Sequence, residues 1–84
     1  MSANMIPAPV PGIFWQRPDP DSEPFLSPGQ VVTSGPQIGI IEVMKMFVEV
    51  YSDRDGIFAS YHVENGESVP MGAFLVELEL GEGP

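Results

Sequence analysis

One lysine is present in the 84 residues: Lys45, in the run Glu42-Val43-Met44-Lys45-Met46-Phe47. Lysine is ordinarily a common surface charge, scattered for solubility. Here it occurs once, between two methionines, in a chain of net charge −9. A merely solvated lysine needs no such setting, whereas one that another enzyme must find and acylate does. A lysine amine is protonated at neutral pH and a poor nucleophile alone, so a modifying enzyme must deprotonate it and present an activated acyl group. The thioethers of Met44 and Met46 are flexible and polarisable, suited to adaptable contact with a partner. Acylation would turn the amine into a neutral amide, move the formal charge from −9 to −10, and leave a tether. Such a tether delivers cargo to more than one active site at high effective concentration.

Other chemistries find little support. The chain has no cysteine and one histidine, His62, so neither a disulfide nor a thiolate or histidine-rich metal site is available. The carboxylates show no pairing suited to glycoside hydrolysis. No Ser/His/Asp set and no glycine-rich phosphate loop stands out. No catalytic residue and no metal ligand is therefore assigned. Three basic residues, Arg17, Lys45 and Arg54, face twelve acids, which excludes the basic patch that nucleic acid requires. The acidity gives solubility and could steer the domain toward basic partners. No apolar run approaches the ~20 residues of a membrane span, and the N-terminus lacks a basic-then-apolar signal pattern. No membrane association is expected, and the location is read as cytoplasmic, or else an organelle matrix such as that of a plastid.

The elements that must position the lysine are strands. Val31-Val32, Ile38 to Val43, Phe47 to Tyr51, Ile57 to Val63 and Phe74 to Leu80 are short β-prone runs punctuated by nine Gly and ten Pro. No segment keeps an apolar 3.6-residue period for three turns. The chain also repeats itself. Gly29 to Glu42 aligns with Gly66 to Glu79 at an offset of 37, with Gly29/Gly66, Val32/Val69, Gly35/Gly72 and Glu42/Glu79 identical. Upstream, Gly12-Ile13-Phe14 matches Gly56-Ile57-Phe58 at an offset of 44. Neither half can bury its apolar face alone, so a pseudo-twofold sandwich is predicted.

The offset falls from 44 to 37, so the first half carries seven additional residues between Phe14 and Gly29. They fall within Arg17-Pro18-Asp19-Pro20-Asp21-Ser22-Glu23-Pro24, where proline fixes φ and Asp and Ser bond to local backbone. Three prolines favour a defined protrusion, predicted to contact something near the Lys45 turn. Lys45 itself falls between the halves, at the tip of a hairpin whose turn type the sequence does not specify. Trp15, Phe14 and Phe58 are expected in the core or at the base of the protruding loop. Glu42 and Glu79 are expected to play structural parts at equivalent strand ends, and His62 is expected in a strand, at the surface.

Glu42-Val43-Met44-Lys45-Met46 closely resembles the Glu-Ala-Met-Lys-Met motif of biotinyl domains, with Val43 in place of alanine. The similarity extends from about Pro9 to Glu79. Val10-Pro11-Gly12-Ile13-Phe14-Trp15 resembles the first strand of the biotin carboxyl carrier proteins of acetyl-CoA carboxylase. Pro18, Asp19, Pro20, Asp21, Ser22, Glu23 and Pro24 resemble that family's thumb, a loop near the biotin. Pro28 to Val32 and Val63 to Val69 resemble its two turn-strand units.

This resemblance implies an all-β fold: a flattened barrel-sandwich, or hammerhead, of two pseudo-twofold-related four-stranded halves with a thumb in the first. It implies biotin as cofactor, attached to Lys45 by a biotin protein ligase that reads Glu42, Val43, Met44 and Met46. It further implies a non-catalytic carrier moving a carboxyl group from biotin carboxylase to carboxyltransferase, making malonyl-CoA for fatty-acid synthesis. Lipoyl domains usually carry Asp-Lys-Ala at this place, which disfavours a lipoyl carrier of a 2-oxoacid dehydrogenase-type complex. An unmodified β-sandwich adaptor is the remaining alternative. The domain is expected over residues 10–80, with 1–9 an N-terminal stub or linker remnant and 81–84 a tail.

Overall fold

A computed structural model describes residues 3–79, which form eight antiparallel strands with no helix among them. These are β1 (Ala3–Pro7), β2 (Gly12–Trp15), β3 (Val31–Val32), β4 (Gln37–Val43), β5 (Met46–Tyr51), β6 (Gly56–Tyr61), β7 (Glu67–Val69) and β8 (Phe74–Glu79). They build two four-stranded sheets, ordered β1-β8-β6-β3 and β5-β4-β2-β7. Exchanging β1–β4 with β5–β8 converts one order into the other, so each sheet takes two strands from each half. The predicted pseudo-twofold sandwich is therefore the architecture observed, with neither half able to close a sheet alone.

The repeat holds at the level of single hydrogen bonds. Gly66 N–H donates to the Phe14 carbonyl at 2.7 Å, and its mate Gly29 donates to the Phe58 carbonyl at 2.9 Å. Gly35 donates to Ser52 at 2.8 Å, and Gly72 to Ala8 at 2.9 Å. All four glycines have positive φ, from 85° to 126°, a region where a side chain would be strained. This is why glycine recurs at both places in both halves.

The core is the set of mated apolar side chains. Phe14 and Phe58, Val32 and Val69, Ile38 and Leu75, and Ile41 and Leu78 are all buried. A register shift between Gln37 and Gly39 lets Ile38 and Ile41 both face inward. Gly39 is needed because a Cβ there would lie 2.4 Å from the Phe14 ring. Tyr61 packs against both Phe14 and Phe58, at centroid distances of 5.9 and 4.9 Å, and donates its hydroxyl to the Ile38 carbonyl at 2.9 Å. Burial pushes the Tyr61 phenol up to about 12, so it remains a protonated donor throughout the neutral range.

Two sequence expectations need correction. Residues 3–7 are not a stub: β1 pairs with β8 from Ala3↔Glu79 to Pro7↔Phe74. The twofold demands this strand as the mate of β5, and Ile6 and Val50, 44 residues apart, are both buried. The repeat does not reveal it because no residue identity is kept between Ala3–Pro7 and Phe47–Tyr51. β6 stops at Tyr61 rather than Val63, which leaves His62 just beyond the strand. There its backbone N–H donates to Leu75 at 2.8 Å and its exposed ring lies 2.7 Å from Glu77. The expected 81–84 tail and Leu80 lie outside the described residues.

Candidate functional site

β4 and β5 form a ladder running from Gln37↔Tyr51 to Val43↔Met46. The last pair leaves Met44 and Lys45 as the two central residues of a tight turn. Lys45 thus sits at the hairpin tip, as its position between the halves predicted. Met44, the first central residue, has a φ of +55°, and positive φ at that place is common to the primed hairpin turns. Two-residue primed turns suit the right-handed twist of the flanking strands, at the cost of placing a side chain where glycine is easiest. Met44 is 90% exposed and Met46 68% exposed, and Lys45 is exposed between them. Val43 instead packs against the core, so its β-branch anchors the strand end.

Met44→Gly isolates the contribution of this thioether. Glycine relieves the positive φ, and an exposed side chain removes no core packing, so folding stability is expected to stay within about 1 kcal/mol of wild type. Recognition by a lysine-acylating enzyme is expected to weaken because an adaptable apolar contact is lost. Thermal melts read beside initial rates of acylation separate the two effects.

The outward face beside the turn follows from strand alternation. Glu42 is opposite both Phe47 and Ile13, and Ile40 is opposite both Glu49 and Trp15. Trp15 Nε1–H donates to Glu42 Oε1 at 3.2 Å. Glu42 therefore has a structural partner, as predicted, though one on β2 rather than within the turn.

The proline-rich loop rises over this face. Its neck is closed by Phe25 N–H donating to the Gln16 carbonyl at 2.8 Å. Within it, Ser22 N–H donates to the Asp19 carbonyl at 3.1 Å, while Asp19 Oδ1 and Oδ2 accept from Asp21 N–H at 3.0 Å and Ser22 Oγ–H at 2.9 Å. This is the local Asp/Ser turn chemistry that the sequence signalled. Pro18, Asp19, Pro20, Asp21 and Glu23 are exposed, and Ser22 and Pro24 half-buried. Gln16 ties the root to the β6–β7 turn: its N–H donates to Asn65 Oδ1 at 2.6 Å and its Nε2 to the Val63 carbonyl at 2.8 Å.

Between loop and sheet lies a cleft of about 520 Å³, with Trp15, Ile40 and Phe47 as its apolar walls. Arg17, Pro18, Asp19 and Pro20 reach it from the loop, and Glu42 and Asn65 from below. Arg17, Pro18, Asp19 and Pro20 thus share the cleft with Glu42, the one residue of the Glu42–Met46 run that lines it, whereas Asp21, Ser22, Glu23 and Pro24 do not line it. Ile40, Phe47 and Asn65 were not singled out. Phe47 follows from a two-residue turn once Glu42 is known to face outward. Asn65 is brought in over 49 residues of chain, and no local pattern marks it.

An exposed amine on a tight two-residue turn can be acylated in another enzyme's active site. The neighbouring cleft has apolar walls for a ring-sized group and polar donors at its rim. The residues present therefore fit a covalently attached, amide-linked cofactor with an apolar body and a polar head.

Comparison with known proteins bears on which cofactor that is. The profile of a family described as "Biotin-requiring enzyme" matches residues 4–78. The biotin carboxyl carrier protein of acetyl-CoA carboxylase from Haemophilus influenzae is 28% identical over 79 residues, covering 94% of this chain and 51% of that protein. Its namesake from Cyanidium caldarium is 35% identical over 75 residues, covering 89% and 49%. The chain thus spans about half the length of the curated relatives it matches. Among solved structures, the Kluyveromyces lactis urea carboxylase aligns with a TM-score of 0.73 at 23% identity, over 93% of this chain and 6% of that one. That likeness bears on the fold, which it shares.

Proposed function

The chain belongs to the biotin-requiring enzyme family, and from that membership we propose that it is a biotin carboxyl carrier domain with Lys45 as its attachment residue. The observation that carries this reading is the hairpin: a single lysine, exposed between two exposed methionines, at the tip of the β4–β5 ladder. A biotin protein ligase would read Met44 and Met46 from solvent, with Glu42 and Val43 holding the strand end in register. Biotin on Lys45 would supply a ureido nitrogen that takes up and yields a carboxyl group.

The chain's own residues do the rest without catalysing a step. The hairpin presents the amine, the ladder fixes the direction of the arm, and the cleft under Pro18–Pro20 offers the arm a resting place. The partners are then a biotin carboxylase and a carboxyltransferase. The names of the carrier relatives favour acetyl-CoA as acceptor, giving malonyl-CoA for fatty-acid synthesis, in the cytoplasm or a plastid. Among the described residues no helix is long and apolar enough to cross a membrane.

Co-expression with a biotin protein ligase tests the reading through intact mass. One biotin amide per chain is expected. A lipoyl adduct on protein from its native cell would replace biotin by lipoate, and an unmodified mass with active ligase present would leave a β-sandwich adaptor.

A further inference from the structure

The three basic side chains have different surroundings. Lys45 loses its charge when acylated. Arg54 is paired with Asp53 at 2.8 Å and donates to the Met5 carbonyl at 2.6 Å. Arg17 has no carboxylate within ion-pair distance among the described residues, although the chain holds twelve acids. Its guanidinium makes one long bond, Nη1 to the Ser22 carbonyl at 3.3 Å, and its Nε is buried without a partner. A buried donor left unsatisfied is costly, and more so when charged.

The two acids that line the cleft, Asp19 and Glu42, each accept from a donor other than Arg17. Asp19 accepts from Asp21 and Ser22, and Glu42 from Trp15. Arg17 lines the cleft with no carboxylate paired to it, and since Nε is buried, the planar donor fork left for a ligand is the terminal Nη pair. A carboxylate is the complement of that fork, since two parallel N–H···O bonds match its geometry. The apolar walls formed by Trp15, Ile40 and Phe47 raise the strength of such a pair above its value in open water. Phe47 lies two residues from Lys45, at most about 7 Å away between Cα atoms, within the span of a lysine stem extended by an acyl chain.

We propose that Arg17 makes this cleft a receptor for a carboxylate at the free end of the acyl arm on Lys45. The arm is held under the loop when it ends in an anion and left free when it does not. The inference rests on Lys45 carrying an arm with carboxyl cargo, and it assigns the selectivity of the resting place to one side chain. On a chain of net charge −9, an uncompensated cation also keeps the cleft from repelling an anionic cargo.

The single lysine allows a test without biotin or a ligase. Lys45 is acylated chemically with two arms of equal length, one ending in carboxylate and one in carboxamide, and mass mapping verifies the position. A Lys45→Gln chain, labelled only at its α-amine, serves as blank. Trp15 is the only tryptophan, so its indole Nε1–H resonance reports occupancy of the cleft directly.

The carboxylate arm is expected to be docked about fivefold more than the carboxamide arm, near the upper limit for a partly exposed ion pair. High salt is expected to erase that preference, as is Arg17→Gln. Arg17→Lys keeps charge without the fork and is expected to fall between. Equal docking of the two arms in wild type overturns the proposal, as does a preference that survives in a folded Arg17→Gln chain. Should Arg17→Gln fail to fold, the wild-type arm comparison and its salt dependence decide alone. A chain that shows the preference but is ignored by biotin ligase would instead count against the proposed function.

Discussion

Lys45→Arg is expected to abolish covalent biotin while leaving the fold unchanged. Arginine keeps the positive charge and the long apolar stem, so the net charge stays at −9. The guanidinium stays protonated and does not serve as an acyl acceptor at neutral pH. Position 45 is exposed and has no positive φ, so a change there touches no core contact and no strained backbone. Stability is expected within about 0.5 kcal/mol of wild type. In cells with active ligase, the avidin signal should fall to background, intact mass should show only the unmodified chain, and the melting curve should overlay wild type. With no second lysine in the sequence, any biotin remaining on the variant would remove Lys45 from the mechanism.

How much of this was legible beforehand depended on the kind of interaction. The hairpin tip was readable because a repeat must be joined somewhere, and the lysine falls at the joint. The paired glycines were readable because positive φ demands them in both halves, at Gly29/Gly66 and Gly35/Gly72. The loop was readable as an unequal offset between matching segments. β1 was not, since an edge strand needs only an inward residue such as Ile6 and a register, and it keeps little residue identity with its mate. The cleft was half legible. Its loop side is written in Pro and Asp. Its floor depends on which strand faces turn outward, and its link to Asn65 on a contact between distant segments. The unpaired state of Arg17 is a property of geometry alone: Asp19, two residues away, offers a partner in sequence but directs its oxygens to Asp21 and Ser22.

Phe14→Ala is expected to weaken both the fold and the modification, although it leaves the motif Glu42–Met46 untouched. Phe14 is fully buried, packs against Tyr61 at 5.9 Å, and fills the space that only Gly39 leaves open. Its backbone carbonyl also accepts from Gly66 at 2.7 Å, so a displaced strand would loosen the β6–β7 turn as well. Truncating a buried phenylalanine costs about 3–5 kcal/mol. A domain of this size has only about 4–13 kcal/mol in total, without a disulfide to supplement it. At about 4–8 °C per kcal/mol for a domain this small, the melting midpoint is expected to fall by at least about 12 °C, toward 37 °C, as read by circular dichroism, with folding recovered on moderate cooling. If the ligase reads a presented hairpin rather than a linear run, labelling should track the folded fraction, because an unfolded chain holds Met44 and Met46 in no fixed relation to Lys45. Phe47→Ala is the matched control: that ring is 66% exposed, so its loss should spare the fold. Wild-type labelling rates on an unfolded Phe14→Ala chain would show that the five-residue run suffices for the ligase. The sandwich would then serve the later step alone, aiming the loaded arm and sheltering its end beside Arg17.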